Sequence, residues 1–152
     1  MWSFEHSLDH HINTCMSSKY WLDYVRSCYD LVVEGEGITS INLAHEVEAY
    51  VVHLMAKNFE RNDIGVNPVA IMMLEAVGSL NEQKLLNVAD ECLLIHSYPL
   101  KRHRWPCDNY YADMGTTAYG LAHHIMEHNF KVASVVLGAV FRRAFDDKYR
   151  IV

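Results

Sequence analysis

The chain lacks the features that define membrane and secreted proteins. Its most apolar run, residues 132–141, is shorter than the ~18 consecutive apolar residues of a transmembrane helix, and two arginines follow it directly. The first six residues have neither the basic nor the apolar stretch of a signal peptide. We therefore expect a cytoplasmic protein that does not bind a membrane.

Cysteines and basic residues are also few. The four cysteines are far apart and form no CxxC pair, which argues against a zinc knuckle or a redox motif. Thirteen lysines and arginines against nineteen aspartates and glutamates leave a formal net charge of −6. Because non-specific nucleic-acid binding depends on neutralising phosphates, the sequence predicts no nucleic-acid partner.

Complete catalytic motifs are missing as well. The chain has no glycine-rich phosphate loop and no Gly-x-Ser-x-Gly turn. We therefore expect a protein that is not an enzyme and that needs no cofactor, with a bound zinc or iron ion as the alternative discussed below.

Helical periodicity dominates what is present. The 152 residues are 51% hydrophobic and 21% charged, the composition of one ordinary globular domain. Apolar residues recur at spacings of three and four, and no segment alternates long enough to predict a strand. We predict an all-α fold, a single domain over residues 1–152 that forms a bundle of six or seven helices. The predicted helices cover about residues 3–13, 18–34, 41–60, 68–78, 80–98, 108–129 and 131–146.

Local signals set several of these boundaries. Gly35 and Gly37 predict the end of the second helix, because glycine commonly terminates helices. Asn67 followed by Pro68 predicts a helix start. Ser79 with Glu82 three residues later predicts a capping box, in which each side chain bonds the other residue's backbone N–H.

Six of the ten histidines lie in two short runs, and histidine readily binds transition metals. Residues four apart on a helix project from one face, so each run predicts a pair of neighbouring imidazoles. Two such helices side by side would form a zinc or iron site, with the predicted ligands His6, His10, His124, Glu127 and His128. The alternative interpretation is that these histidines lie on solvated helix faces.

Three known metal-dependent classes are excluded. Residues 124–128 match the HxxEH pattern of inverted zinc peptidases, but those enzymes need a third ligand well downstream, and only 24 residues follow His128. The chain contains no ExxH motif, as ferritin-type di-iron sites require, and no His-Asp dipeptide, as HD phosphohydrolases require.

One short basic-aromatic segment stands out in this acidic chain. A helix start beside arginines and aromatic rings suits a phosphate or carboxylate. The sequence therefore predicts that an anionic ligand or an acidic partner surface binds at Lys101, Arg102, His103, Arg104, Trp105, Tyr110 and Tyr111. The alternative is a solvated loop whose Trp105 packs on the core.

The helix after this loop carries small residues at spacings of three and four, Gly115, Ala118 and Ala122, beside several tyrosines. Small residues at these spacings allow another helix to approach closely, either within the core or across a dimer interface. We therefore predict a protein–protein interaction module, of an adaptor, chaperone-like or regulatory kind, that forms a homodimer.

Overall fold

Six α-helices and one 3-10 helix make up the part of the chain that the computed structural model describes, residues 18–58, 60–98 and 108–149. In chain order they are α1 (Ser18–Thr39), α2 (His45–Asn58), α3 (Val69–Ser79), α4 (Glu82–Ser97), α5 (Asp108–Leu121), the 3-10 helix η1 (Ile125–His128) and α6 (Phe130–Tyr149). These ranges contain no strand, and the predicted all-α bundle is confirmed. The predicted helix over residues 3–13 lies outside them.

Within the same ranges, no helix combines the length and the apolar character needed to cross a membrane.

Helix α4 lies at the centre of the bundle and packs against α3, α5 and α6, while α1 packs against α2 and α6. Each helix contributes apolar side chains spaced three, four or seven residues apart, as expected for faces turned toward one core. Fully buried examples from five helices are Trp21, Val47, Leu93, Tyr119 and Leu137.

The prediction that Gly35 and Gly37 end the first long helix is wrong, since α1 continues through both to Thr39. Gly35 serves packing instead. A Cβ at this position would lie 2.8 Å from Val140 Cγ2 and 3.1 Å from the Val136 carbonyl oxygen. The missing side chain therefore lets α1 approach α6 closely, and the left-handed residue after the helix is Ser40, with φ of 57°.

The predicted capping box at Ser79 is also wrong. Ser79 is the last residue of α3, and Leu80 follows it in a left-handed conformation with φ of 51°. Asn81 caps α4, its side-chain oxygen accepting a hydrogen bond from the Lys84 backbone N–H at 3.2 Å. At the start of α3, Pro68 occupies the N-cap position and no side chain caps the helix.

The long helix predicted over residues 108–129 ends at Leu121. A turn follows in which His123 has φ of 52°, and residues 125–128 form η1. The chain therefore changes direction within the carboxy-terminal histidine run, which moves these histidines off a common α-helical face.

Candidate functional site

Within the described part of the chain, the outer face of α3 exposes several aliphatic side chains. Ile71, Leu74 and Val77 are 55%, 74% and 43% exposed, whereas Val69 and Ala76 face the core. Met72 and Met73 are half-buried against the core. The helix therefore presents its larger aliphatic side chains to solvent.

Two small residues complete this face. Ala70 and Gly78 are exposed and lie four residues before and after Leu74, so all three project along one line of the helix. A Cβ at Gly78 would have no atom within 4 Å, so the space above it is open. The one charged residue of α3, Glu75, lies at the edge. We call the set Ala70, Ile71, Leu74, Val77 and Gly78 the α3 stripe.

Apolar side chains also flank the stripe at both ends of the helix. Val66, before α3, is 71% exposed, and Leu80, after it, is 85% exposed. Single exposed aliphatic residues are common on proteins, but contiguous apolar patches of several hundred Å² mark interaction sites. Covering each large aliphatic side chain would contribute about 1.5–3 kcal/mol.

The small-residue face of α5 does not form such a surface. Gly115 lies against the core, where a Cβ would be 2.5 Å from Phe130 Cε2 and 2.9 Å from Cys92 Cβ. Ala118 and Tyr119 are fully buried. Of the two predicted uses of this face, the structure therefore shows packing within the core.

A second notable arrangement surrounds Asp90 on α4, which is mostly buried. Its Oδ1 accepts hydrogen bonds from the hydroxyls of Tyr50, at 2.5 Å, and Tyr119, at 2.6 Å. Such short distances are typical of hydroxyls that donate to an ionised carboxylate. One carboxylate thus links α2, α4 and α5.

Burial controls the titration of this cluster. Desolvation raises the pKa of Asp90 to about 6, although both tyrosine hydrogen bonds and the charge of Lys57 oppose the increase and Glu91 adds to it. Desolvation and the nearby Asp90 also raise the pKa values of Tyr50 and Tyr119 above that of free tyrosine, so both hydroxyls remain protonated donors. These contacts make the cluster a cross-link between helices.

Sequence reasoning missed these three residues, although one signal was present. Asp90 lies on the inward face of α4, four residues after Leu86 and three before Leu93, both buried. A carboxylate at such a position needs hydrogen-bond donors, because an unpaired buried charge is costly. The identity of the donors was not evident, since Tyr50 and Tyr119 are 40 and 29 residues away in sequence.

His124, a predicted metal ligand, packs beside the Asp90 cluster. Its ring centroid lies 4.6 Å from that of Tyr50 and 5.5 Å from that of Tyr119. Its Nδ1 accepts a hydrogen bond from the Met126 backbone N–H at 3.2 Å, which caps η1. Burial lowers the pKa of this imidazole, which favours its neutral form.

The other two predicted ligands of this run lie on η1. His128 is 84% exposed, and its Nε2 is 3.7 Å from Oε2 of the adjacent Glu127. The expected α-helical pairing of His124 with His128 is wrong, because His124 precedes a 3-10 helix and packs against tyrosines. Among the described residues, no three His, Cys, Asp or Glu side chains converge as a metal site. His6 and His10 lie outside those residues, so the site that includes them stays a prediction.

The predicted anion-binding segment is described only in part. Lys101, Arg102, His103, Arg104 and Trp105 lie outside the described residues. Tyr110 and Tyr111 lie in the first turn of α5, half-buried against the core, with ring centroids 5.1 Å apart in an edge-to-face arrangement. Anion binding at this segment therefore also stays a prediction.

Comparisons of the chain with protein-family models, with curated proteins and with solved structures found no match. Functional inference therefore depends on the geometry described above.

Proposed function

We propose that this protein is a protein–protein interaction module that self-associates through the α3 stripe. The observation that carries the proposal is the outward orientation of Ile71, Leu74 and Val77 on a helix whose opposite face already packs against α4. Water contact with these side chains is unfavourable, and a covering protein surface would remove it. The Asp90 cluster, in contrast, has its hydroxyl donors within the bundle.

A second copy of the chain is the proposed occupant of this surface. The stripe contains no charged side chain, so two copies can meet without placing like charges at the centre of the contact. A standard interface buries about 800 Å² per partner, and the exposed Val66 and Leu80 extend the apolar surface beyond both ends of the stripe.

The proposal also includes a cytoplasmic location. Cys28 and Cys92 are buried free thiols in the described part of the chain, which fits a reducing compartment. Burial raises the pKa of Cys28 to about 11 and that of Cys92 to about 12, so neither is a ready nucleophile.

The test compares the wild-type chain with Leu74→Glu by light scattering and sedimentation equilibrium, from low to high micromolar concentrations. The wild type is expected to form dimers and the variant to be monomeric. A symmetric contact buries Leu74 from both copies, so the substitution should raise the dimer dissociation constant by about 100-fold or more.

Leu22→Glu is the matched control. Leu22 is 46% exposed on α1, a helix that packs against α2 and α6, so the same substitution there should leave the dimer unchanged. Circular dichroism checks that both variants remain helical. A wild-type chain that is monomeric at every concentration, or equal weakening by both substitutions, would overturn the proposal.

A further inference from the structure

The five residues of the α3 stripe are arranged symmetrically about Leu74, whereas the other two exposed residues of the helix, Glu75 and Ser79, fall outside this symmetry. Ala70 and Gly78 lie four residues to either side of it, and Ile71 and Val77 lie three residues to either side. Each pair joins residues of the same kind, two small ones and two β-branched ones. Reversing the direction of the helix about Leu74 therefore reproduces nearly the same pattern of sizes.

Such a pattern suits an isologous contact, in which the same patch of both copies meets across a two-fold axis. In an antiparallel pair centred on Leu74, Ala70 of one protomer comes level with Gly78 of its partner. The methyl group of Ala70 then enters the open space above Gly78. Ile71 and the partner's Val77 lie at the same height along the pair of helices, on opposite sides of the two Leu74 side chains.

A parallel pair would use the stripe less well. It would place Gly78 against the partner's Gly78 and leave a gap at one end of the contact. It would also align the two helix dipoles in the same direction, whereas the antiparallel pair opposes them. Shape and electrostatics thus favour the same orientation.

We propose that two copies of this chain pair through α3 in antiparallel orientation, about a two-fold axis that passes beside Leu74. This inference rests on the proposed self-association and specifies its geometry. It predicts which pairs of positions come within reach of a disulfide bond.

The distances separate the two orientations. Packed helix axes lie about 8–10 Å apart, and the Cα atoms lie about 2.3 Å from each axis. Facing Cα atoms therefore fall near the 4.4–6.8 Å range of disulfides. In the antiparallel pair, the two copies of Ala70 are offset by eight residues, about 12 Å along the helix, and lie beyond that range.

The experiment uses the full chain with Cys15→Ser and Cys107→Ser, into which Ala70→Cys or Gly78→Cys is introduced separately. Both variants retain Leu74. Under mild oxidation at concentrations where the dimer forms, each variant alone should give little covalent dimer on non-reducing gels. A mixture of the two should give abundant covalent dimer. Leu74→Cys alone should also cross-link, and Leu22→Cys serves as the exposed control.

Each outcome has a defined meaning. Cross-linking of Ala70→Cys alone and of Gly78→Cys alone, without a gain on mixing, would establish the parallel pair and overturn the inference. A wild-type dimer in solution whose mixed variants fail to cross-link would overturn the α3 geometry but leave self-association intact. A monomeric wild-type chain would overturn the proposed function itself.

Discussion

The Asp90 cluster and the α3 stripe both depart from the usual arrangement of a globular protein. The cluster places a carboxylate inside the bundle, and the stripe places aliphatic side chains on the surface. Asp90 is enclosed in the bundle, and two tyrosine hydroxyls bind one of its oxygens. Leu74 and its neighbours lie outside the bundle, and the exposed part of each meets no group of the described chain. The difference shows that an unusual location has distinct consequences in the two cases. Asp90 has two hydrogen-bond donors within the bundle, although burial raises its pKa, whereas the exposed aliphatic side chains of the stripe are left open to solvent.

The largest expected difference between interior and stripe comes from the same substitution made in both. Leu93→Ala, in the fully buried part of α4, should lower the free energy of unfolding by about 2–5 kcal/mol. Leu74→Ala should change the stability of the monomer by less than about 0.5 kcal/mol. Urea denaturation below the dimer dissociation constant measures both values. Similar losses at the two positions would mean that Leu74 is packed within its own chain.

Removing one hydroxyl from the Asp90 cluster should have the next largest effect. Tyr119→Phe keeps the ring and deletes a hydrogen bond to a carboxylate, so it should cost about 1.5–3 kcal/mol of unfolding free energy at neutral pH. Tyr29→Phe, on an exposed ring of α1, is the control and should be near neutral. In an Asp90→Asn background the cost of Tyr119→Phe should fall to about 1 kcal/mol, as for a neutral hydrogen bond. An unchanged cost would mean that the Tyr119 hydroxyl contributes to stability independently of the charge of Asp90.

The titration of Asp90 gives a third test. Its pKa is raised to about 6 in the folded chain and lies near 3.9 in an unfolded one. The folded state thus binds a proton more tightly, and lowering the pH from 7 to 4 should stabilise the wild type relative to Asp90→Asn by about 1–3 kcal/mol.

The difference in unfolding free energy between the wild type and Asp90→Asn isolates the titration of Asp90. Glu48, whose pKa a hydrogen bond with Glu36 raises to about 7, is present in both and cancels. Denaturation at several pH values measures the difference. A constant difference, or one that changes in the opposite direction, would contradict the assigned environment of Asp90.

The smallest effects should come from two glycines and have opposite signs. Gly78→Ala, in open space on α3, should stabilise the monomer by about 0.5–1 kcal/mol through helix propensity. Gly115→Ala places a methyl group against Phe130 and Cys92, and overpacking of about 1–3 kcal/mol should outweigh the same propensity gain. Thermal unfolding of both variants shows the signs directly. If Gly115→Ala stabilises the protein, Phe130 and Cys92 move aside at little cost in free energy.

Some of this architecture could be predicted from the sequence because it depends on local periodicity. Trp21, Cys28 and Val32 recur at helical spacing and are buried together on one face of α1. The roles of Gly35 and Gly115 could not be predicted, because a helical glycine can end a helix or admit a neighbour. Only the positions of Val140 and Phe130 decide between these uses.

Local sequence patterns were enough to predict six α-helices between residues 18 and 149, because helical periodicity depends on contacts within a few residues, but the predicted ends near residues 34 and 129 were wrong. Tertiary structure decided which face of α3 meets solvent. This helix is apolar around most of its circumference and has one charged residue, so its own sequence cannot choose a side, and among the described helices α4 is the one that packs extensively on it. Tertiary structure likewise decided that Asp90 meets Tyr50 and Tyr119. The sequence of α3 therefore left its orientation open, and the packing of its neighbours placed Ile71, Leu74 and Val77 toward solvent.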